Sequence, residues 1–282
     1  MSETITITCL VENTVPAGSH LISAHGLSFL IEKKLPGADS RFIMLDAGPS
    51  DALLSNSRKL GIDLSLVDCL VLSHGHYDHS GGILPFTRVN KQAGIIMLPG
   101  AAGNYYNEAP TPHYIGIDPE IPSLKTVKFS DGLTFLGDGF YLFSGVKTTE
   151  LLPRGNRFLT VHTTEGTIPD DFSHEQYLAV NTPQGGVLLS GCAHRGIINI
   201  LNRYREIFGS DPAYVFSGFH TMNRSGYLPE DIDFAEALAR KLLKYDTVFY
   251  TGHCTDTVPG EAMKAIMGSR LLFLTTGLSV SL

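Results

Sequence analysis

The stretch Val71-Leu72-Ser73-His74-Gly75-His76-Tyr77-Asp78-His79-Ser80-Gly81-Gly82 decides how the whole chain is read. Its head closes a short, strongly apolar run, Val67–Ser73, the pattern of a strand buried on both faces. Its tail sets three imidazoles and a carboxylate within six residues at the end of that strand. In an extended chain His74 and His76 share a face by period two, so both can bind one ion. Asp78 and His79 lie past the strand, at the start of a predicted helix, and can turn toward a second ion. Gly81-Gly82 allows close backbone approach beside them.

Three further strands end in the same way. Leu188–Ser190 runs into Gly191-Cys192-Ala193-His194, Val215–Ser217 into Gly218-Phe219-His220, and Phe249–Thr251 into Gly252-His253-Cys254. Ligands of α/β sheets gather beyond the carboxyl ends of strands. Four apolar strands that deliver imidazoles to one edge therefore predict one convergent site. Clustered neutral imidazoles suit a transition metal.

Around these motifs, strands are predicted over Ile5–Val11, Ser28–Glu32 and Arg41–Asp46, with turn signals at Pro16-Ala17-Gly18 and Pro36-Gly37-Ala38-Asp39. A short helix over Asp51–Leu60 stops at Gly61. In the second half, strands at Gly186–Ser190, Ala213–Ser217, Thr247–Thr251 and Arg270–Leu274 alternate with helices at Gly196–Phe208, Pro229–Tyr245 and Glu261–Met267. Strands first, then strand–helix alternation, suggests an α/β sandwich of sheets covered by helices. From about Gly100 to Gly145 the periodicity fades while Pro, Gly and Tyr accumulate. That stretch reads as a lid-like excursion from a single domain spanning 1–282.

Hydrophobic residues make up 43% and charged residues 17%, enough to bury a sizeable core and too apolar for disorder. Acidic residues exceed basic by 28 to 21, a net charge of −7, whereas a general nucleic-acid binder needs a basic field. No apolar run approaches the ~18–20 residues of a membrane span, and the start Met-Ser-Glu-Thr-Ile-Thr has no signal-peptide pattern. The four cysteines Cys9, Cys69, Cys192 and Cys254 fit a reducing compartment. A cytoplasmic protein without nucleic-acid or membrane partners is the expectation; oligomeric state is not legible.

His-x-His-x-Asp-His followed by Gly-Gly, after Leu45-Asp46-Ala47-Gly48, resembles the metallo-β-lactamase superfamily. The likeness extends to Ala24-His25-Gly26-Leu27-Ser28, Ser190–Ile197, Gly218-Phe219-His220 and Gly252–Thr255. These segments resemble the branch named for 7,8-dihydropterin-6-methyl-4-(β-D-ribofuranosyl)aminobenzene-5'-phosphate synthase. The resemblance covers essentially the whole chain. It implies a four-layer αββα sandwich with one or two divalent ions at one edge, usually zinc, sometimes manganese or iron. By the same resemblance His74, His76 and a third imidazole form one metal position, and Asp78, His79 and His253 the other. The chain departs from the pattern in two places. Cys192 stands where most superfamily hydrolases have a bridging aspartate, which leaves it a ligand, a bridge or a neighbour. Asp170 stands at the loop position of the usual third histidine, and His194 is the natural substitute.

Other residues have two readings each. His220 is a site residue (ligand, phosphate contact or proton donor) or supports the site from behind. Asp46, at a strand end, is expected to orient a ligand histidine through its free ring nitrogen. His25, Tyr105, Tyr106 and Arg195 are candidates for substrate contact, the tyrosines as stacking faces and the arginine toward an anionic small molecule. His174 reads as a packing residue, and His20, His113 and His162 as surface or loop histidines. Cys9 and Cys69 read as buried core thiols.

A bound divalent metal lowers the pKa of water to about 7. Asp78 is expected to hold the resulting hydroxide or take its proton, with His220 steadying developing charge. The expected activity is thus metal-dependent hydrolysis, with a phosphoester or cyclic phosphodiester ahead of a lactone or thioester. Carbon–carbon bond formation, as in the synthase that names the branch, is the alternative, and a non-catalytic ligand-binding module comes after both.

Overall fold

A computed structural model describes residues 3–282. Two seven-stranded sheets form its centre. The first runs, in spatial order, through Ser279–Ser281, Thr4–Val11, Ser28–Lys34, Arg41–Leu45, Cys69–Val71, Gly94–Met97 and Val127–Phe129. The second runs through Leu271–Phe273, Val248–Thr251, Tyr214–Phe216, Gly185–Leu189, Tyr177–Thr182, Phe140–Phe143 and Thr134–Gly137. In each sheet one half is antiparallel and the other parallel. The strands that lead into the histidines all lie in the parallel halves.

Alternation along these strands explains the layering. Cys69 and Val71 face an inner core with Phe29, Ile43, Leu178 and Phe216, where the two sheets meet. Leu70 and Leu72 face the opposite way, onto Leu53, Ile83 and Phe86 of the helices Ala52–Lys59 and Ile83–Val89. In the second sheet Val187 and Leu189 point inward, while Leu188 packs with Ile200, Leu201, Leu238 and Met263 of the helices Ile197–Phe208, Pro229–Leu242 and Thr257–Met267. Helix, sheet, sheet, helix: the fold is the αββα sandwich that the motifs imply. The last helix starts at Thr257, earlier than the predicted Glu261, because Pro259 sits in its first turn, where a missing N–H costs nothing.

The stretch from Gly100 to Gly145 is not a lid throughout. Val127–Phe129 extends the first sheet, and Thr134–Gly137 with Phe140–Phe143 completes the second. Only Tyr105–Asn107 and His113–Tyr114 stand apart. They join Leu159–Thr163 and Gly166–Pro169 in a small third sheet over a satellite core of Tyr105, Ile115, Leu159 and Phe172. Strands of two to four residues are too short to show a period, which is why this stretch reads as irregular from sequence.

Candidate metal centre

The four strands that run into His74, His194, His220 and His253 bring their histidines together at one edge of the sandwich. His74, His76 and His194 form one buried group, and Asp78, His79, Cys192 and His253 another; within each group the possible ligand atoms lie within 4.8 Å of one another. The turns that present them are demanding. Asp46, Ala193, His220 and His253 all have φ between 48° and 62°, uncommon for residues with a side chain. The strand ends also approach closely. A Cβ on Gly191 would lie 2.3 Å from Ser73 Oγ, and one on Gly218 would lie 2.4 Å from Cys254 Sγ.

The ring orientations follow from the outer hydrogen bonds. Asp46 accepts the Ser73 hydroxyl at 2.7 Å and the Nδ1–H of His79 at 2.6 Å. The Ser73 proton is thereby committed, so its oxygen accepts from Nδ1 of His74 at 2.8 Å. One carboxylate thus orients a ligand of each group. Asn156 donates to the carbonyl of His194 at 2.7 Å and accepts from its Nδ1 at 3.1 Å. Asn13 does the same for His253, at 3.3 Å and 3.0 Å. All four Nε2 atoms therefore face the site, with a lone pair on each ring that is neutral.

Nothing in the protein meets most of those lone pairs. Nε2 of His74, His76, His194 and His253, and Nδ1 of His220, are buried without a hydrogen-bond partner. Buried polar atoms are otherwise nearly always paired. Five orphaned imidazole nitrogens beside a carboxylate and a thiol fit a divalent transition metal. Burial, reinforced by the neighbouring imidazoles, holds His74, His76 and His194 well below the ordinary histidine range, so all three are neutral donors. Burial also opposes charge on His79, but Asp46 and Asp78 outweigh it and lift that ring to about 9. Burial opposes charge on Asp78 as well; His79, His253 and His25 overcome it and keep the carboxylate ionised. Burial, then the Cys254 thiol, pushes the Cys192 thiol up.

Asp170 lies 4.0 Å from His76 Nε2 and 3.1 Å from His174 Nε2. His174 accepts the Gly75 N–H on Nδ1 at 3.0 Å, so its Nε2 carries the proton toward Asp170 and neither nitrogen is free for a metal. It is more than a packing residue, since it ties Asp170 to the His74-Gly75-His76 turn. His25 Nε2 lies 3.5 Å from Asp78 Oδ2, and burial lowers its pKa to about 4.

A cavity of about 330 Å³ opens onto these groups. His76, Asp78, Cys192, His194, His220 and His25 border it. Of the four residues expected to contact substrate, Tyr105, Tyr106 and Arg195 do not. The Tyr105 hydroxyl donates to the Gly100 carbonyl at 2.5 Å, and its ring packs 4.2 Å from that of His174, behind the site. Tyr106 stacks on His162 at 3.7 Å. Arg195 spends its guanidinium on the carbonyls of Asp171 and Val146, at 2.7 Å and 2.8 Å, joining two loops. In their place the walls are made by Asn107–Ile115, the Arg154–Leu159 turn and Thr221–Ser225, with His113 among them. Sequence reasoning missed Asn13 and Asn156 entirely, because an asparagine in a loop carries no signal without its partner.

A profile of the metallo-beta-lactamase superfamily matches residues 24–253. The chain belongs to that superfamily. It is 26% identical over 264 residues to the 7,8-dihydropterin-6-methyl-4-(β-D-ribofuranosyl)aminobenzene-5'-phosphate synthase of Methanocaldococcus jannaschii, covering 90% of this chain and 88% of the relative. Among solved structures, Tm1679, described as a metal-dependent hydrolase of the β-lactamase superfamily, superposes with a TM-score of 0.80 at 28% identity and covers 98% of both chains. Zinc-bound PqqB from Methylobacterium extorquens shares the fold at a TM-score of 0.58 and 12% identity, over 99% of this chain and 100% of its own. The superfamily fold implies divalent metal binding and a small-molecule substrate. No helix among the described residues is long and apolar enough to cross a membrane.

Proposed function

We propose that this protein is a cytoplasmic metal-dependent hydrolase of a phosphoester or cyclic phosphodiester. The observation that carries the reading is the set of five orphaned imidazole nitrogens, three of them on His76, His194 and His220 at the wall of one cavity. His74, His76 and His194 would hold one ion; Asp78, His79, His253 and, as ligand or bridge, Cys192 would hold a second. Zinc suits this nitrogen, oxygen and sulfur donor set, with manganese or iron as substitutes. A bound divalent ion supplies Lewis acidity and a hydroxide nucleophile at neutral pH.

The chain's own residues divide the remaining work. Asp78 borders the cavity and remains a carboxylate, so it can orient an attacking water and accept its proton. His25, 3.5 Å from the Asp78 carboxylate, limits the directions in which that carboxylate can swing. His220, at the cavity wall beside His194, can donate to the negative charge that develops on a phosphoryl or carbonyl oxygen. Asp170 supports His76 through its bond to His174.

A second reading is supported by the near full-length match to the synthase. The same histidine-lined floor would then serve carbon–carbon bond formation between two ring systems, with Phe158 and Pro110 as apolar walls. Zinc-loaded protein assayed against bis(4-nitrophenyl) phosphate, cyclic nucleotides, lactones, thioesters and pterin phosphates separates the readings. Turnover of a phosphodiester that disappears in His76→Ala supports the hydrolase. Condensation without hydrolysis of any ester favours the synthase.

A further inference from the structure

The protein is acidic overall, at −7, yet its cavity is basic at the rim. Arg154, Arg157 and Arg224 border it, against only two acids, Asp78 and Asp231. Asp78 faces the histidines. Asp231 is occupied: it takes the Arg154 guanidinium at 3.0 Å, and its other oxygen receives the Leu228 N–H and the Asn223 amide. Arg154 is thus neutralised. Arg157 and Arg224 have neither an ion pair nor a side-chain hydrogen bond among the described residues, and both are exposed to solvent. The Arg157 guanidinium carbon lies 4.6 Å from the centre of the Phe158 ring, a contact that engages the ring face and none of the guanidinium N–H groups in a hydrogen bond.

The same cavity is also lined by the apolar side chains of Pro110, Ile115, Phe158, Leu159 and Phe234. Two unpaired guanidiniums in an acidic protein, sharing one cavity with the metal groups and with apolar side chains, form a receptor that offers polar contacts of two kinds. A guanidinium prefers planar, bidentate recognition of a carboxylate or phosphate.

We infer that Arg157 and Arg224 bind a second anionic group of the substrate, a phosphate monoester or a carboxylate, distinct from the group that reacts at the metal site and joined to it by an apolar or aromatic body. The inference rests on the hydrolase reading for what happens at the metal end, but not for what happens at the arginines. It makes the two arginines determinants of specificity rather than catalytic residues.

Calorimetric titration of zinc-loaded protein tests it, using phenyl phosphate, benzoate, benzyl alcohol and inorganic phosphate as probes. The Arg157→Gln/Arg224→Gln variant changes only exposed side chains and is checked for unaltered zinc content and melting temperature. Phenyl phosphate or benzoate should bind the variant about 10-fold or more weakly, the loss of a charge-assisted bidentate contact. The acid that loses more identifies the anionic group. Benzyl alcohol should be unaffected, and inorganic phosphate, which can bind the metals directly, should change by less than about 3-fold. Equal losses for inorganic and phenyl phosphate would reduce the arginines to a long-range field and overturn the inference. So would unchanged binding of both acids, or no binding of either acid to the wild-type protein at millimolar concentration. Failure of the hydrolase reading would appear instead in the turnover assays, with these titrations intact.

Discussion

Asp46 Oδ2 lies 2.6 Å from Nδ1 of His79 and also receives the Ser73 hydroxyl at 2.7 Å, which in turn meets His74. A single buried carboxylate therefore sets the tautomer of one histidine in each donor group. Replacing it with alanine frees both rings and strands the Ser73 N–H, which Asp46 accepts at 2.7 Å. For Asp46→Ala the expected loss is about 10–100-fold in affinity at both metal positions, the usual cost of removing such a support. Competition against a chromophoric chelator measures it. If only one position weakens, Asp46 is not the shared anchor.

Asn156 and Asn13 each grip one histidine by both its Nδ1 and its own carbonyl. The two supports are separate, so their effects should be separable. Asn156→Leu should weaken the position that contains His194 and spare the one that contains His253, again by about 10–100-fold. Asn13→Leu should do the reverse. A uniform drop in both variants would point to general loosening of the edge instead.

His76→Ala removes one of three donors from the group with His74 and His194. The folded variant should lose at least one equivalent of bound metal by elemental analysis, and any hydrolytic activity with it. Full metal occupancy would show that His76 is not a ligand.

These supports mark the limit of what the sequence reveals. His74, His76, His79, His194 and His253 are legible because each follows a buried apolar strand, and parallel strands must end at a common edge. Asn13 and its partner His253 are 240 residues apart, and no spacing rule links them. Arg195 and Arg157 look equally available in sequence; only packing shows that the first is tied to two carbonyls and the second is open. The tyrosine pair fails as a lid for a similar reason. A strand of three residues, Tyr105–Asn107, sends alternate side chains to opposite faces, and neither tyrosine reaches the cavity.

Gly191 tests how tightly the two sheets must meet at this edge. An added methyl would sit 2.3 Å from Ser73 Oγ, the oxygen that bridges Asp46 and His74. Gly191→Ala should therefore cost about 1–3 kcal/mol, as overpacking does, and should also weaken metal binding. Denaturant unfolding of the metal-free variant isolates the first effect, and chelator competition the second. A stable variant with normal affinity would mean that the edge yields more easily than its geometry implies.

Cys192 bears on how many ions bind. Its sulfur is 3.2 Å from Nε2 of His79, in the group with Asp78 and His253, and it also belongs to a group with His194 and His220. A carboxylate at this point could give one oxygen to each of two ions. Cysteine has a single donor atom, so a thiolate close to one ion must either share that atom or leave the other position a ligand short. Unequal affinities are the expected result: metal-free protein titrated with zinc should show two separable binding steps, or one step only. Cys192→Asp, with its second donor atom, should narrow the gap between the steps or restore the missing one. Two equivalents of equal affinity in the wild-type protein would contradict this account. A Cys192→Asp variant that binds less zinc than wild type would place the sulfur among the strong ligands instead.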